Sequence, residues 1–154
     1  MKNKILFSAL ACVLVFSCKK DPVTPNSIDY FIFGVGYCEC VGMCGEFYKY
    51  TTDALVKGDG GACVPEGHTY NGSALSDDDF AVAEALLISL PDDLYYAETT
   101  TFGCPDCHDQ GAYYVEIKKE GVVKSWVLDP DADAIPAFLV PFRQRLKDAL
   151  DTLD

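Results

Sequence analysis

The apolar positions of this chain change period several times, and each change marks an element. Residues 5–16 form an apolar run broken only by Ser8 and preceded by Lys2 and Lys4. A basic start and a run shorter than the roughly 20 residues that cross a bilayer make the pattern of a secretory signal. Residues 19–27 hold Pro22 and Pro25 among polar neighbours without periodicity, and read as a tether. Residues 29–33 are aromatic and β-branched and predict a strand, with Gly34 and Gly36 as a flexible end. Phe47, Tyr48 and Tyr50, a polar turn near Thr52 and Asp53, and Leu55 and Val56 predict a hairpin over residues 45–57. Residues 58–73 carry five glycines and Pro65 and read as a loop, pinned by Cys63.

The period then becomes helical. Ser76 is an N-cap, Asp77 and Asp78 fill the first turn, and Asp79 stands at the third position, where a capping partner belongs. Leu75 and Phe80 suit a hydrophobic staple, and Phe80, Ala83, Leu86, Leu87 and Leu90 make the buried stripe that Pro91 ends. Capping accounts for the acidic run 77–79 more simply than a cation site does. Tyr113, Val115 and Ile117 alternate with Tyr114, Glu116 and Lys118, and a second hairpin turns at residues 119–121 into residues 122–128. A final helix is expected from Pro136, with Ile135, Phe138, Leu139, Phe142, Leu146, Ala149, Leu150 and Leu153 as its stripe. Pro141 falls early enough to bend it at worst.

The expected fold is α+β: an antiparallel sheet of about four or five strands with two helices on one face, in a ββαββα-like order. A paired-cysteine turn precedes each hairpin, at Cys40–Cys44 and at Cys104–Cys107, so two related ββα halves are expected. If they are related, both turns enter strands from corresponding positions and the four cysteines can gather.

Composition narrows the classes. The chain has 154 residues, 24 acidic and 12 basic side chains, and a net charge of −12. That balance argues against nucleic acid, whose phosphates need clustered Lys and Arg. A hydrophobic content of 49% argues against disorder. The apolar run ends in Val15-Phe16-Ser17-Cys18, which resembles the lipobox of bacterial lipoproteins. That resemblance implies cleavage before Cys18, lipid on its sulfur and new amino group, and a membrane partner reached through this N-terminal lipid. Residues 1–17 are then a signal peptide, 18–27 a lipidated cysteine and tether, and 28–154 one α+β domain. Lys19 follows Cys18 where an inner-membrane retention signal would have Asp, so the outer membrane is expected, on either face.

Cys12 leaves with the signal, and Cys38, Cys40, Cys44, Cys63, Cys104 and Cys107 remain. An even count outside the cytoplasm reads first as disulfides, and six cysteines allow 15 connectivities. Cys40, Cys44, Cys104 and Cys107 form the candidate disulfide or metal cluster; as a tetrahedral set they could hold zinc, with His68 and His108 as spare ligands. Cys104-Pro-Asp-Cys107 also has thiol-oxidoreductase spacing. That chemistry needs a helix N-terminus to lower the thiol pKa, and here a turn feeds a strand beside Asp106 and Asp109. Asp129, Asp131 and Asp133 start like an EF-hand loop, but Ala134 and Val140 stand where Gly and Glu are required. Asp131 and Asp133 are better read as acids favouring the helix that follows. Asp92 and Asp93 read as solvated acids.

Residues 33–48 with their Cys-Val-Gly-Met-Cys turn, residues 102–111, Trp126-Val-Leu-Asp-Pro and Ile135-Pro resemble a group of uncharacterised small bacterial lipoproteins. The resemblance implies a shared fold and a lipid anchor, and assigns no catalytic residue. Cys38 and Cys63 lie outside the group's pattern, which implies that they pair with each other. No nucleophile–base constellation stands out, since neither histidine accompanies a Ser or Cys elbow. The functional expectation is a non-enzymatic binding or interaction module without a cofactor, contacting an unknown protein or small molecule through Tyr95, Tyr96, Tyr114 and the glycine-rich loop. A zinc-binding protein and a CxxC oxidoreductase are the alternatives.

Overall fold

A computed structural model describes residues 21–153; the apolar run, Cys12 and Cys18 lie outside them. The chain builds one six-stranded sheet. Strands β1 (Tyr30–Gly36), β2 (Gly45–Tyr50) and β3 (Leu55–Lys57) form a meander, and β5 (Ala112–Lys119) and β6 (Val122–Leu128) form the second hairpin. β1 joins the two parts by pairing antiparallel with both β2 and β5, so Phe33 lies between Tyr48 and Val115. Strand β4 (Thr101–Phe102) adds to the far edge, giving the order β3-β2-β1-β5-β6-β4.

The α+β class stands, but the sheet is larger than four or five strands and is not wholly antiparallel. β4 runs parallel to β6, pairing Thr101 with Val127 and Phe102 with Leu128. Two residues are too few to show an alternation, so this edge has no local signal. It is held from both sides: the Val127 N–H donates to the Thr100 carbonyl at 2.8 Å and the Asp129 N–H to the Phe102 carbonyl at 2.9 Å.

Helix α1 (Asp77–Ile88) starts where its cap indicates. The Asp79 N–H donates to the Ser76 hydroxyl, and the Ser76 N–H donates back to the Asp79 carboxylate, each at 3.2 Å. A short helix α2 (Asp92–Tyr95) follows Pro91 and takes up the acids read as solvated. Helix α3 (Val140–Leu153) starts four residues later than Pro136 suggests. Residues 136–139 form a turn, with the Leu139 N–H on the Pro136 carbonyl, and Pro141 falls in the first helical turn, where its missing N–H costs nothing. Phe138 consequently leaves the stripe and is 41% exposed. Asp131 and Asp133 do not front this helix; Asp131 caps the separate 3-10 turn at Ala132–Ala134 by accepting the Asp133 N–H.

Both long helices pack on one sheet face. Phe31, Phe33, Tyr48, Tyr50, Val115, Ile117, Trp126 and Leu128 meet Ala83, Leu87, Phe142 and Leu146 in a continuous core. The other face is covered by residues 58–73 over β1 and β2, while Val123 and Ser125 of β6 stay exposed. Gly36 and Gly45 are the reason the covering segment can lie so close, while Gly34 makes room for Glu46 and Phe47 of β2. A Cβ on Gly36 would stand 1.9 Å from the Cys63 carbonyl oxygen, and one on Gly45 would stand 2.4 Å from that of Ala62. The two glycines of β1 are therefore close-approach positions inside a strand, not its flexible end. The segment read as a tether is also partly fixed. Val23 packs against the core, residues 25–27 form a 3-10 turn, and the Tyr96 hydroxyl donates to the Asp21 carbonyl at 2.8 Å.

Candidate functional site

The sheet register brings the cysteine turns together. Gly36, the last residue of β1, pairs with Gly45 at the start of β2 and with Ala112 at the start of β5. The turn before β2 and the turn before β5 therefore rise from the same end of the sheet. The covering segment reaches that end too, through Gly61, whose carbonyl accepts the Cys44 N–H at 3.2 Å.

Three disulfides form there. Cys38 joins Cys63 with Cα atoms 5.0 Å apart, while Cys40–Cys44 and Cys104–Cys107 each span 5.5 Å. Of the connectivities open to six cysteines, the structure takes the one that closes each turn on itself and ties β1 to the covering loop. Cys40, Cys44, Cys104 and Cys107 thus share one end of the molecule without forming a common cluster. Among the described residues, no three His, Cys, Asp or Glu side chains gather as a metal site. The Cys104–Cys107 turn leads to β5 and not to a helix, and its cysteines carry no helix N-terminus behind them.

Asp106 locks the two turns. Its φ of +58° is a left-handed conformation that Asp tolerates better than most residues. One carboxylate oxygen accepts the Gly111 N–H at 3.0 Å, and the other accepts the Cys38 N–H from the opposite turn at 2.9 Å. Its own N–H donates to the Gly111 carbonyl at 3.0 Å. Asp129 does the same job on the other side. It is buried, and it accepts the Cys104 N–H at 2.9 Å and the Asp131 N–H at 2.8 Å. The residue that opens the EF-hand-like stretch is therefore a brace for the second cysteine turn. Gln110 completes it, donating to the Cys104 carbonyl and accepting the His108 N–H.

Beside the exposed Glu39, His108 and Asp109, this scaffold displays large apolar side chains. Val41 is fully exposed, Met43 is 76% exposed and Tyr37 is 44% exposed. The Tyr37 ring lies on Gly111, where a Cβ would stand 2.5 Å from it. Between the turns is a cleft of about 300 Å³ lined by Tyr37, Glu39, Cys40, Asp106 and Asp109. The surface at this end is thus an apolar tip beside a carboxylate-lined cleft.

The tyrosines expected to make contacts lie elsewhere. Tyr95 is buried, Tyr96 is half-buried against it, and Tyr114 lies half-buried against Phe47. Burial and, secondarily, the Asp106 charge push the Tyr114 hydroxyl pKa up. The glycine-rich loop is a lid on the sheet. His68, a spare ligand candidate, is buried in it, with Nε2 2.8 Å from the Ala62 carbonyl and its ring on Phe47. His108 is exposed. Tyr37, Val41 and Met43 escape a reading by sequence because an apolar residue beside a cysteine looks the same whether it is packed or displayed. No family model matches the chain, and no curated protein matches it.

Proposed function

We propose that this chain is an outer-membrane lipoprotein anchored through Cys18, whose folded part is a non-enzymatic interaction module contacting its partner with the disulfide-braced end. One observation carries the reading: three disulfides and the two carboxylates of Asp106 and Asp129 are spent on holding two turns, the first of which exposes the large apolar side chains of Tyr37, Val41 and Met43. A braced turn loses little freedom on binding, so apolar residues displayed on it suit recognition. Glu39, Asp106 and Asp109 beside them favour a partner that brings positive charge. The end also lies at Gly36, the opposite end of β1 from Tyr30, where the chain joins the sheet.

The test is photo-crosslinking in intact cells. A benzophenone side chain at position 41 or 43 should give one discrete adduct, absent when the same group replaces Ala85 on α1. Loss of that adduct in a Cys40→Ser/Cys44→Ser chain of unchanged abundance supports the module. No adduct at either position, or the same adducts from position 85, contradicts it. The anchor is tested separately: Cys18→Ala should move the protein from the membrane to the soluble fraction.

A further inference from the structure

We infer that the opposite end of the sheet is a second contact surface, which rests on the phospholipid headgroups, with the tip of the β5–β6 hairpin and Tyr96 facing the bilayer. This rests on the reading of Cys18 as the lipidated residue. The length of chain between that residue and the fold carries the argument. Only Lys19 and Lys20 separate Cys18 from Asp21. Three peptide steps reach about 11 Å at most. Asp21 is already laid on the fold, since its carbonyl accepts the Tyr96 hydroxyl at 2.8 Å. The domain therefore has no long tether on which to stand away from the membrane, and whatever surrounds Asp21 must lie close to it.

What surrounds Asp21 suits an interface. Tyr96 packs edge-on against Tyr95, and Lys124 lies over both rings, 4.5 Å from the centroid of Tyr95 and 5.6 Å from that of Tyr96. Lys119 lies 5.9 Å from the Tyr95 ring. At the hairpin tip Val122 is 57% exposed and Val123 49% exposed, although Lys119 and Lys118 pair across from them. Tyrosines with lysine stems and a small apolar tip are the side chains that settle at a headgroup layer, rings and methylenes inward and amines in water. Of the eight basic side chains among the described residues, Lys118, Lys119 and Lys124 fall on this end. Asp29 and Glu120 flank the tip, Asp29 being engaged by the Gly121 N–H at 3.3 Å, and the exposed acids Asp92, Asp93 and Glu98 lie within four residues of Tyr96 in sequence. The same geometry turns Tyr37, Val41 and Met43 away from the bilayer.

Hydroxyl-radical labelling of the lipidated full chain in nanodiscs of phosphatidylethanolamine and phosphatidylglycerol tests this. Compared with the soluble Cys18→Ala chain, labelling of Tyr96, Val122 and Val123 should fall at least about threefold, while Tyr37 and Met43 stay as reactive as in solution. Val122→Glu/Val123→Glu, a change at two exposed positions, should restore Tyr96 labelling although the acyl mass is retained. Equal labelling of Tyr96 and the hairpin tip in both forms of an acylated protein overturns the inference and leaves the anchor standing. A native chain without acyl mass instead removes the anchor reading on which it rests.

Discussion

Asp106 shows how one side chain can organise two turns 68 residues apart in sequence. It combines a left-handed φ with two accepted N–H bonds, one of them from Cys38. Asp106→Ala removes both acceptors and places a poorly tolerated residue at that φ, so a loss of about 1–2 kcal/mol in urea unfolding is expected. The amides of Cys38 and Gly111 should then exchange faster with solvent, and Asp106→Asn, which keeps the φ tolerance but only one acceptor and turns an NH2 toward the other N–H, should recover only part of the loss. Tyr30 and Tyr50 give a pH signal. Burial raises both hydroxyls to about 12, helped by the bonds they donate to Glu116 and Glu84. A folded pKa above the unfolded value near 10 means their contribution is complete below about pH 10 and is lost as pH rises toward about 12. Absorbance near 295 nm, a tyrosinate band, should therefore show these two titrating late, and denaturant midpoints should fall over the same window. At this scale little of the site was legible. Asp129 looked like the start of a calcium loop because its real partner, Cys104, is 25 residues away and no local pattern connects them.

The elements with their own local signals were read correctly. Ser76 and Asp79 start α1 as a capping box, and the positive φ values of Glu120 and Gly121 make the two-residue turn of the second hairpin. Those defined by tertiary contact were not. β4 exists because β6 receives it, and the start of α3 is decided by a turn at Pro136. Residues 58–73 read as a loop pinned by Cys63, and the Cys38–Cys63 bond does pin them; that they lie flat on the sheet was not legible, because glycine content does not reveal a segment lying against other glycines, here Gly36 and Gly45. The disulfides differ in what they close. Cys38–Cys63 constrains a loop of 25 residues, while Cys104–Cys107 closes a separation of only 3. In the chain-entropy view, Cys38→Ser/Cys63→Ser should cost about 3 kcal/mol and release the covering segment. Cys104→Ser/Cys107→Ser should cost about half of that and leave the sheet intact. Thermal unfolding of the two double variants compares them directly.

Across the whole molecule, the sheet separates two ends. One receives the chain at Asp21 and carries Tyr96, Lys119 and Lys124; the other carries the three disulfides and the exposed Tyr37, Val41 and Met43. On the proposed reading the first end faces lipid and the second faces a partner, and sulfur serves both: as the attachment point at Cys18 and as the brace elsewhere. That division of labour is tested most directly by the intact mass of the native protein extracted from membranes, with and without reduction before alkylation. The expected spectrum is a chain beginning at Cys18 with acyl mass added, taking up no alkyl group until it is reduced and then six. An unacylated amino end, or alkylation of any cysteine before reduction, would contradict it.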